Sequence, residues 1–567
     1  MIRVTELRLP LAHPPEALRS ALLQRLNIAD ADLAELTLHK RSPDARKKSA
    51  IQFIYAVDCR LASPALEAEV LARCAGDPHV RPSPDMRYRF VGQAPDDFFA
   101  GPHARTRPVV IGFGPCGLFA ALILAQMGLR PIVLERGKPV RERTKDTWAL
   151  WRQGQLDPES NVQFGEGGAG TFSDGKLYSQ ISDPRHLTRK VLAEFVKAGA
   201  PEEIAWVSKP HIGTFRLVGM IEKMRADIEA LGGEIRFRQH VTDLQIDTDA
   251  SGQRQLRGVV LADGSRLACS HLVLAVGHSA RDTFTMLHGH GVAMQAKPFS
   301  VGFRIEHPQG LIDRARLGPA AGNPLLGAAD YKLVHHASNG RAVYSFCMCP
   351  GGTVVAATSE PGRVVTNGMS QYSRNERNAN AGIVVNIDPE DYRQSAGDGP
   401  VSPLDGFAFQ RFWESRAFEL GGGNYHAPGE LVGDFVAGRH GEAVSRSFGS
   451  VLPSYTPGVT LTDLNDPARP SLPPYVLQAI REALPAFARQ IRGFDMADAV
   501  LTGVETRTSS PLRINRGRDD FQSLNTRGLY PAGEGAGYAG GIMSAGVDGI
   551  EVAEALGRDL LGAADKL

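Results

Sequence analysis

The sequence predicts an α/β protein of several domains, and three observations support that prediction. At 567 residues the chain is long enough for two or three domains with their own cores. Two segments, 109–137 and 529–556, each run from a short apolar strand through a glycine turn into an apolar helix. A third segment, 1–95, has its own succession of strands and helices.

The segment 109–137 has the layout of a βαβ unit that holds the adenosine diphosphate half of a dinucleotide. Gly112 permits a sharp turn, Gly114 lets the backbone approach a pyrophosphate, and Gly117 lets helix and strand pack closely. The predicted helix start, which follows Pro115 in the turn, presents free N–H groups to the phosphates. Glu135 follows the second strand, where an acid accepts from ribose hydroxyls. The predicted elements are strand 109–111, helix 118–127 and strand 131–134.

A membrane span is the competing interpretation of the same segment, because residues 108–129 carry no charge. The prolines and glycines of the turn interrupt its first half, so a buried helix is favoured and no membrane span is expected. The balanced charge, formally +1, gives no global field that favours DNA or anionic membranes. The N-terminus lacks a signal pattern and the six cysteines are irregularly placed, which together predict a cytoplasmic protein.

Residues 1–95 are predicted to form a small N-terminal α/β domain. Between its predicted strands 34–39 and 51–59 lies the basic segment Lys40–Lys48. This segment could contact phosphate or RNA, but charge runs usually mark a solvated loop, so RNA binding is the less favoured interpretation. The segment Pro82–Pro102 has the composition of a linker.

The rest of the chain is predicted to be a split dinucleotide domain with an insertion. Its first part, 96–290, contains a helix at 214–231 and short strands that end near Gly277. Residues 291–495, with candidate strands 299–305, 343–347, 353–357 and 383–387, are predicted to form a mixed-sheet substrate domain. Residues 496–567 return to the first domain.

The return contains a second glycine loop, 529–546. Glu534 can hold a hydroxyl of a ribityl chain, and a helix that begins near Gly541 and Ile542 places N–H donors under the flavin N1–C2=O edge. An independent NAD(P)H fingerprint is the alternative. It is less favoured because no second βαβ unit with a spaced acid follows in the sequence.

With both ends considered, the chain resembles the flavoprotein superfamily of geranylgeranyl reductases and p-hydroxybenzoate hydroxylase. More closely, it resembles the bacterial family of uncharacterised FAD-dependent, or NAD(FAD)-utilising, dehydrogenases. The closer resemblance rests on four segments and covers essentially the whole chain: Phe164–Leu177, Tyr344–Gly352, Asn367–Ser370 and Arg507–Ile514. It implies FAD, bound non-covalently by a split Rossmann-like domain, and little about the substrate.

The resemblance also implies cofactor-binding positions in this sequence. Arg136 would lie beside the adenine, Val241 would meet it through its backbone, and Gly277 would pass the diphosphate. The loop 167–177 would flank the isoalloxazine. The full predicted set is Gly112, Gly114, Pro115, Gly117, Glu135, Arg136, Gly167, Gly168, Thr171, Val241, Gly277, Gly533, Glu534, Gly541 and Ile542. One departure is Glu534, where many relatives have Asp.

Candidates for chemistry are few. Cys347 and Cys349 share one face of a strand, but forming a disulfide between them is awkward while the chain stays extended, so buried apolar packing is favoured. His335 and His336 would face opposite ways on a strand, and no metal site is predicted.

Two basic residues are the candidate catalytic residues. Arg507 could hold a substrate carboxylate or form a salt bridge that joins the domains. Lys176 could be a flavin-edge charge or an ordinary surface lysine.

These observations predict a FAD-dependent oxidoreductase that transfers a hydride through flavin N5 at the domain junction, on a small-molecule substrate. NAD(P)H is compatible as a transient electron donor, and so is an electron-transfer protein partner. A flavin monooxygenase that uses NAD(P)H and oxygen, and a flavoprotein with an RNA-linked role through the basic segment, stay open as alternatives.

Overall fold

A computed structural model describes residues 1–100, 105–393 and 399–562 and shows a mixed α/β protein. The N-terminal region forms an antiparallel sheet of order β2-β3-β1-β4. Strand β2 continues to Asp44, so the turn of the basic segment is limited to residues 45–51 and is shorter than the sequence predicted. The elements are β1 Ile2–Pro10, α1 Ala17–Leu26, β2 Leu33–Asp44, β3 Gln52–Leu61, α2 Pro64–Arg73 and β4 Val80–Pro82.

The basic segment makes contacts within the chain. The Arg41 guanidinium lies 4.7 Å from the ring centre of Phe53 and 4.6 Å from that of Trp206. Lys48 Nζ donates to the Ala315 carbonyl at 2.6 Å. Two of its cations are therefore used to hold the N-terminal sheet against later parts of the chain. The predicted linker crosses residues 83–100, and its end at 101–102 lies outside the described residues.

The second region is built on a parallel sheet of order β22-β11-β5-β6-β7. Its edge strand β22, Leu529–Pro531, comes from the C-terminal return. The helix after the glycine turn begins at Pro115, three residues earlier than predicted. The elements are β5 Val109–Ile111, α3 Pro115–Gln126, β6 Ile132–Glu135, α4 Val140–Gln153, α5 Leu187–Lys197, α6 Thr214–Ala230, β7 Glu234–Phe237, β8 Val241–Thr248, β9 Arg254–Leu261, β10 Arg266–Ala268, β11 Leu272–Leu274 and α7 Arg281–Gly289.

The third region is dominated by an eight-stranded sheet, mostly antiparallel, with order β14-β15-β17-β13-β20-β18-β19 and β16 paired to β15. The two predicted strands 343–347 and 353–357 are parts of one long strand, β15, whose pairing with β17 is interrupted by bulges. The elements are β12 Met294–Ala296, β13 Phe299–Pro308, α8 Gln309–Leu317, β14 Val334–His336, β15 Ala342–Ala356, β16 Thr366–Ser370, β17 Asn378–Ile387, α9 Asp405–Gly421, β18 Ala427–Leu431, α10 Val432–Ala437, β19 Val459–Leu461, α11 Pro474–Ala488 and β20 Val500–Glu505.

The chain then returns to the parallel sheet through β21 Leu512–Ile514, β22 Leu529–Pro531 and α12 Ile542–Leu561. Helix α12 packs against α3, and Gly549 allows the close approach because a Cβ there would lie 3.1 Å from the Cys116 carbonyl carbon. One apolar core lies between these helices and the sheet, and another fills the third region. The predicted domain limits at 95, 290 and 495 stay predictions. Among the described residues, no helix is both long and apolar enough to cross a bilayer.

Candidate functional site

A cavity opens at the carboxyl ends of the parallel strands, where open α/β sheets usually bind ligands. Residues directly after β5, β6, β11 and β22 line one end of it. The loop between α4 and α5 forms its side, and residues of β15, β16 and β20 line the other end. One cavity is therefore shared by the parallel sheet and the antiparallel sheet.

The glycine turn after β5 forms one wall of the cavity. Gly112 has φ +92°, and a Cβ there would lie 2.9 Å from the carbonyl carbon of Ala275. Gly114 lines the cavity and precedes α3, whose first N–H groups point out of the helix start. A Cβ on Gly117 would lie 3.0 Å from the Gly112 carbonyl carbon and closer still to its oxygen. Gly117 does not line the cavity, so it acts by packing the turn.

The predicted ribose ligand Glu135 is at the cavity but is already engaged. One carboxylate oxygen accepts from Phe113 N at 2.8 Å, and the other accepts from Gly137 N at 2.8 Å and Gly165 N at 2.9 Å. The side chain is buried. Since a carboxylate offers about four acceptor positions, capacity for one further donor remains. Glu135 therefore shapes the turn, and a contact to ribose would use that last position.

Arg136 also lines the cavity, in a fixed orientation. It pairs with both carboxylate oxygens of Glu159, at 2.9 and 2.8 Å, and with Asp282 at 3.0 Å. Its guanidinium lies 4.1 Å from the ring centre of Phe164. Two carboxylates thus balance the charge of Arg136 and hold its guanidinium in place, and a planar group of this kind suits stacking on a base.

The loop 163–176 contributes differently from the prediction. Gly168 lines the cavity, but Gly167 and Thr171 lie behind its wall. A Cβ on Gly167 would meet Thr171 Oγ1 and Ile221 Cδ1, so this glycine is needed for packing. The cavity wall also includes residues in and beside the predicted loop 167–177 that were not in the predicted set of cofactor-binding residues: Gln163, Phe164, Ala169, Gly170, Ser173 and Asp174. A run of glycines does not reveal which of them faces a ligand, because that depends on the local backbone path.

Seven further residues of the predicted cofactor-binding set line the cavity. Val241, Gly277, Gly533, Glu534, Gly541 and Ile542 all line the cavity, together with Pro115. Helix α12 begins at Ile542 and its first turn faces the cavity. Burial raises the pKa of Glu534 to about 7, against the smaller opposing effect of Lys297.

His278 is a site residue that sequence reasoning missed. It lines the cavity, and its Nδ1 lies 3.7 Å from a Glu534 oxygen. Within the described part of the chain, its buried Nε2 has no hydrogen-bond partner. Burial and the nearby Arg507 and Arg281 lower its pKa to about 3, so the ring is neutral. Two helix starts, a glycine-edged wall and an unpartnered buried nitrogen fit a ligand that carries phosphates and hydroxyls, as FAD does.

Arg507 lines the cavity, but its guanidinium is held by the protein. It donates to both oxygens of the buried Glu414, each at 3.0 Å, and to Ser279 Oγ at 3.0 Å and Ser359 Oγ at 2.7 Å. Arg281 of α7 pairs with the same Glu414, at 2.7 Å. The geometry matches the salt-bridge interpretation, because Glu414 in α9 pairs with both arginines. It thereby joins Arg281, which follows the parallel strand β11, to Arg507, which follows β20.

Lys176 is half-buried in the far wall and donates to the Met348 carbonyl. Burial alone would lower its pKa, but Cys349 and the Asp174 carboxylate outweigh it and raise the pKa. Its ammonium group thus stays charged next to Cys347, Cys349 and Asn367, which line the same end. His335 and His336, on edge strand β14, do not line the cavity.

Comparison with known proteins agrees with this site. Residues 298–508 match the family model "FAD-dependent protein, C-terminal domain-like", and residues 1–60 match a domain of unknown function. The chain is thus a mixed α/β protein whose residues 298–508 are similar to the C-terminal domain of FAD-dependent proteins. A Clostridium beijerinckii protein, described as uncharacterized, is 45% identical over 556 residues, which cover 98% of each chain. The chain belongs to the family of that protein.

Solved structures give weaker similarities. L-amino acid deaminase from Proteus myxofaciens has a TM-score of 0.32 at 12% identity, covering 84% of this chain and 92% of the deaminase. Glycine oxidase from Bacillus cereus has a TM-score of 0.30 at 11% identity, covering 81% of this chain and 96% of the oxidase. These scores are too low to assign chemistry to this chain.

Proposed function

We propose that this chain is a FAD-dependent oxidoreductase that oxidises or reduces a small molecule at the far end of the cavity. The observation that supports it most directly is the shared cavity, which runs from the glycine turn of Gly112 and Gly114 to the polar wall of Lys176 and Asn367. A bound FAD would supply hydride transfer through N5. We further propose the geranylgeranyl reductase and p-hydroxybenzoate hydroxylase superfamily as its relationship, NAD(P)H as a transient donor, and the cytoplasm as its location.

The residues of the chain have distinct tasks in this proposal. The starts of α3 and α12 and the glycine edges would hold the diphosphate and the pyrimidine edge through backbone N–H groups. Glu135, with one free acceptor position, and Glu534 would accept from hydroxyls. The neutral His278 would hydrogen-bond the ligand through Nε2, which has no partner among the residues that the structure describes. Arg136 would lie against the adenine.

Lys176 is the proposed substrate anchor. Its ammonium uses one donor on the Met348 carbonyl and keeps two for a carboxylate or carbonyl oxygen in the cavity. Glu505 and Asn367 line the same end, but the Glu505 carboxylate is bound by Arg304 at 2.9 and 3.0 Å. Arg507 is assigned to holding the wall in place through Glu414.

The test begins with the absorbance spectrum of the purified chain, followed by anaerobic mixing with NADH and NADPH. We expect one FAD per chain and bleaching by a donor. A colourless protein that does not take up FAD would refute the proposal. Oxygen consumption that rises with a substrate would instead favour the monooxygenase.

The substrate anchor is tested by Lys176→Met against Lys145→Met, a change at an exposed lysine in α4. For a substrate that the enzyme turns over, Lys176→Met should raise KM at least tenfold, because an ion pair between Lys176 and the substrate is stronger in the cavity than in water. Lys145→Met should leave KM unchanged. Equal KM values for both variants would refute the anchor.

A further inference from the structure

Two thiols lie in the wall of the cavity, at the end away from the glycine turn. Cys347 and Cys349 belong to β15, and both line the cavity. Cys347 has an accessible side chain, whereas Cys349 is buried. Both have Lys176 as a charged neighbour. The proposed hydride transfer does not use either thiol.

The strand is not extended at these residues. Phe346 pairs with Gly382 and Cys349 with Asn380, so three steps along β15 correspond to two along β17. This is a β-bulge, and Cys347 has φ +41°, a left-handed conformation that non-glycine residues rarely adopt. Backbone outliers of this kind concentrate at functional sites.

The bulge removes the main objection to a bond between the two thiols. Residues two apart in a regular strand have Cα atoms about 6.6 Å apart, near the upper limit for a disulfide, and the ladder hydrogen bonds hold them there. At the bulge the ladder is interrupted. The Cys349 side chain turns back over the peptide, and its thiol donates to the Cys347 carbonyl at 3.3 Å.

Two cations beside the thiols partly oppose the effect of burial on their pKa values. Desolvation in the cavity wall raises the pKa of Cys347 to about 11 and also raises the pKa of the buried Cys349, so both sulfurs rest as thiols. The cations of Lys176 and Arg304 oppose that shift, and Arg304 also fixes the bulge by donating to the Cys347 carbonyl at 2.9 Å. A thiolate formed during reaction would therefore have two cations beside it.

We propose that Cys347 and Cys349 form a redox-active dithiol that exchanges two electrons with a flavin bound in the same cavity. The electron acceptor in this proposal rests on the function proposed above. On oxidation, two S–H bonds break and one S–S bond forms between the two residues. Two electrons and one proton pass to the oxidised flavin, and the second proton passes to solvent. The reverse step would reduce the disulfide.

The first test counts thiols on the full chain and does not depend on FAD. The protein is oxidised with diamide, denatured and alkylated with N-ethylmaleimide, and the number of adducts is read by mass spectrometry. The chain has six cysteines. We expect six adducts before oxidation and four after it, with the lost pair mapped to one peptide that contains 347 and 349.

Single variants identify the pair. Cys347→Ser and Cys349→Ser should each show five adducts before and after oxidation, because the partner is gone. Cys74→Ser, at a half-buried thiol of the N-terminal region, should fall from five to three. Six adducts in the oxidised wild type, or a pair that persists in Cys347→Ser, would overturn the proposal.

The second test measures exchange with the flavin by anaerobic titration of the oxidised FAD-loaded protein with dithionite. We expect four electrons per FAD for the wild type and for Cys74→Ser, and two for Cys349→Ser. Two electrons in all three proteins would overturn the exchange. If the chain did not take up FAD, the proposed function would fail, and the thiol count would still decide whether the disulfide forms.

Discussion

The roles of Gly114 and Gly117, the second and third glycines of the turn, can be separated by adding one methyl group to each. A Cβ on Gly114 would meet nothing closer than the Gly168 Cα at 3.5 Å, an ordinary contact, and φ there is −78°. We therefore expect Gly114→Ala to fold with unchanged stability. The methyl group would occupy the cavity wall where the diphosphate is proposed to approach.

The expected loss in FAD binding follows from overpacking. An extra methyl group in a filled site costs about 1–3 kcal/mol. That corresponds to a Kd for FAD that is about 5- to 150-fold higher for Gly114→Ala. Gly117→Ala differs, because the new Cβ would lie 3.0 Å from the Gly112 carbonyl carbon. That carbon must move about 0.4 Å to reach an ordinary contact distance of 3.4 Å, and the carbonyl oxygen must move further. This strain falls on the protein itself, so the free energy of unfolding should decrease by about 1–3 kcal/mol or more without FAD.

Urea unfolding of the FAD-free chain and fluorescence titration with FAD measure the two effects. Gly219→Ala is the matched control, since this glycine lies in helix α6 with no atom within 4 Å of the added Cβ. It should gain about 0.5–1 kcal/mol and bind FAD normally. Wild-type affinity in Gly114→Ala would refute the placement of the diphosphate, and a Gly117→Ala protein as stable as the control would refute the packing argument.

Three further changes test the scaffold. Glu414→Gln should lower the unfolding free energy by about 3–5 kcal/mol in urea titrations, because the buried Arg507 loses its paired carboxylate and the buried Arg281 keeps only Glu360; an unchanged midpoint would contradict this. Burial raises the pKa of Glu430 to about 8, so its contribution to stability is present below the unfolded value of about 4.5 and is lost as the pH rises toward 8. Glu430→Gln should therefore reduce the fall in stability between about pH 5 and 8, and a parallel curve would contradict the assignment. Arg41→Ala should lower stability by about 1–2 kcal/mol and expose the N-terminal region to limited proteolysis, because two cation–π contacts are lost; unchanged protease resistance would argue against that docking role.

The sequence by itself determined the features that depend on local backbone requirements. The strand, glycine turn and helix of 109–126 follow from residue types at short spacing, and so does the second glycine loop at Gly533 and Gly541. Both predicted loops line one cavity. The sequence analysis also predicted that the C-terminal segment returns to the dinucleotide domain, and β22 pairs with β11 of the parallel sheet.

Tertiary structure decided which side chains are free to act. Glu135 has the predicted position, but three backbone N–H groups from different segments occupy its carboxylate. Arg507 has its guanidinium bound by Glu414, 93 residues earlier in the chain. Cys347 and Cys349 were assigned to an extended strand, and the bulge that changes their geometry arises from pairing with β17. Each outcome depends on contacts between residues distant in sequence, and short-range spacing carries no information about them.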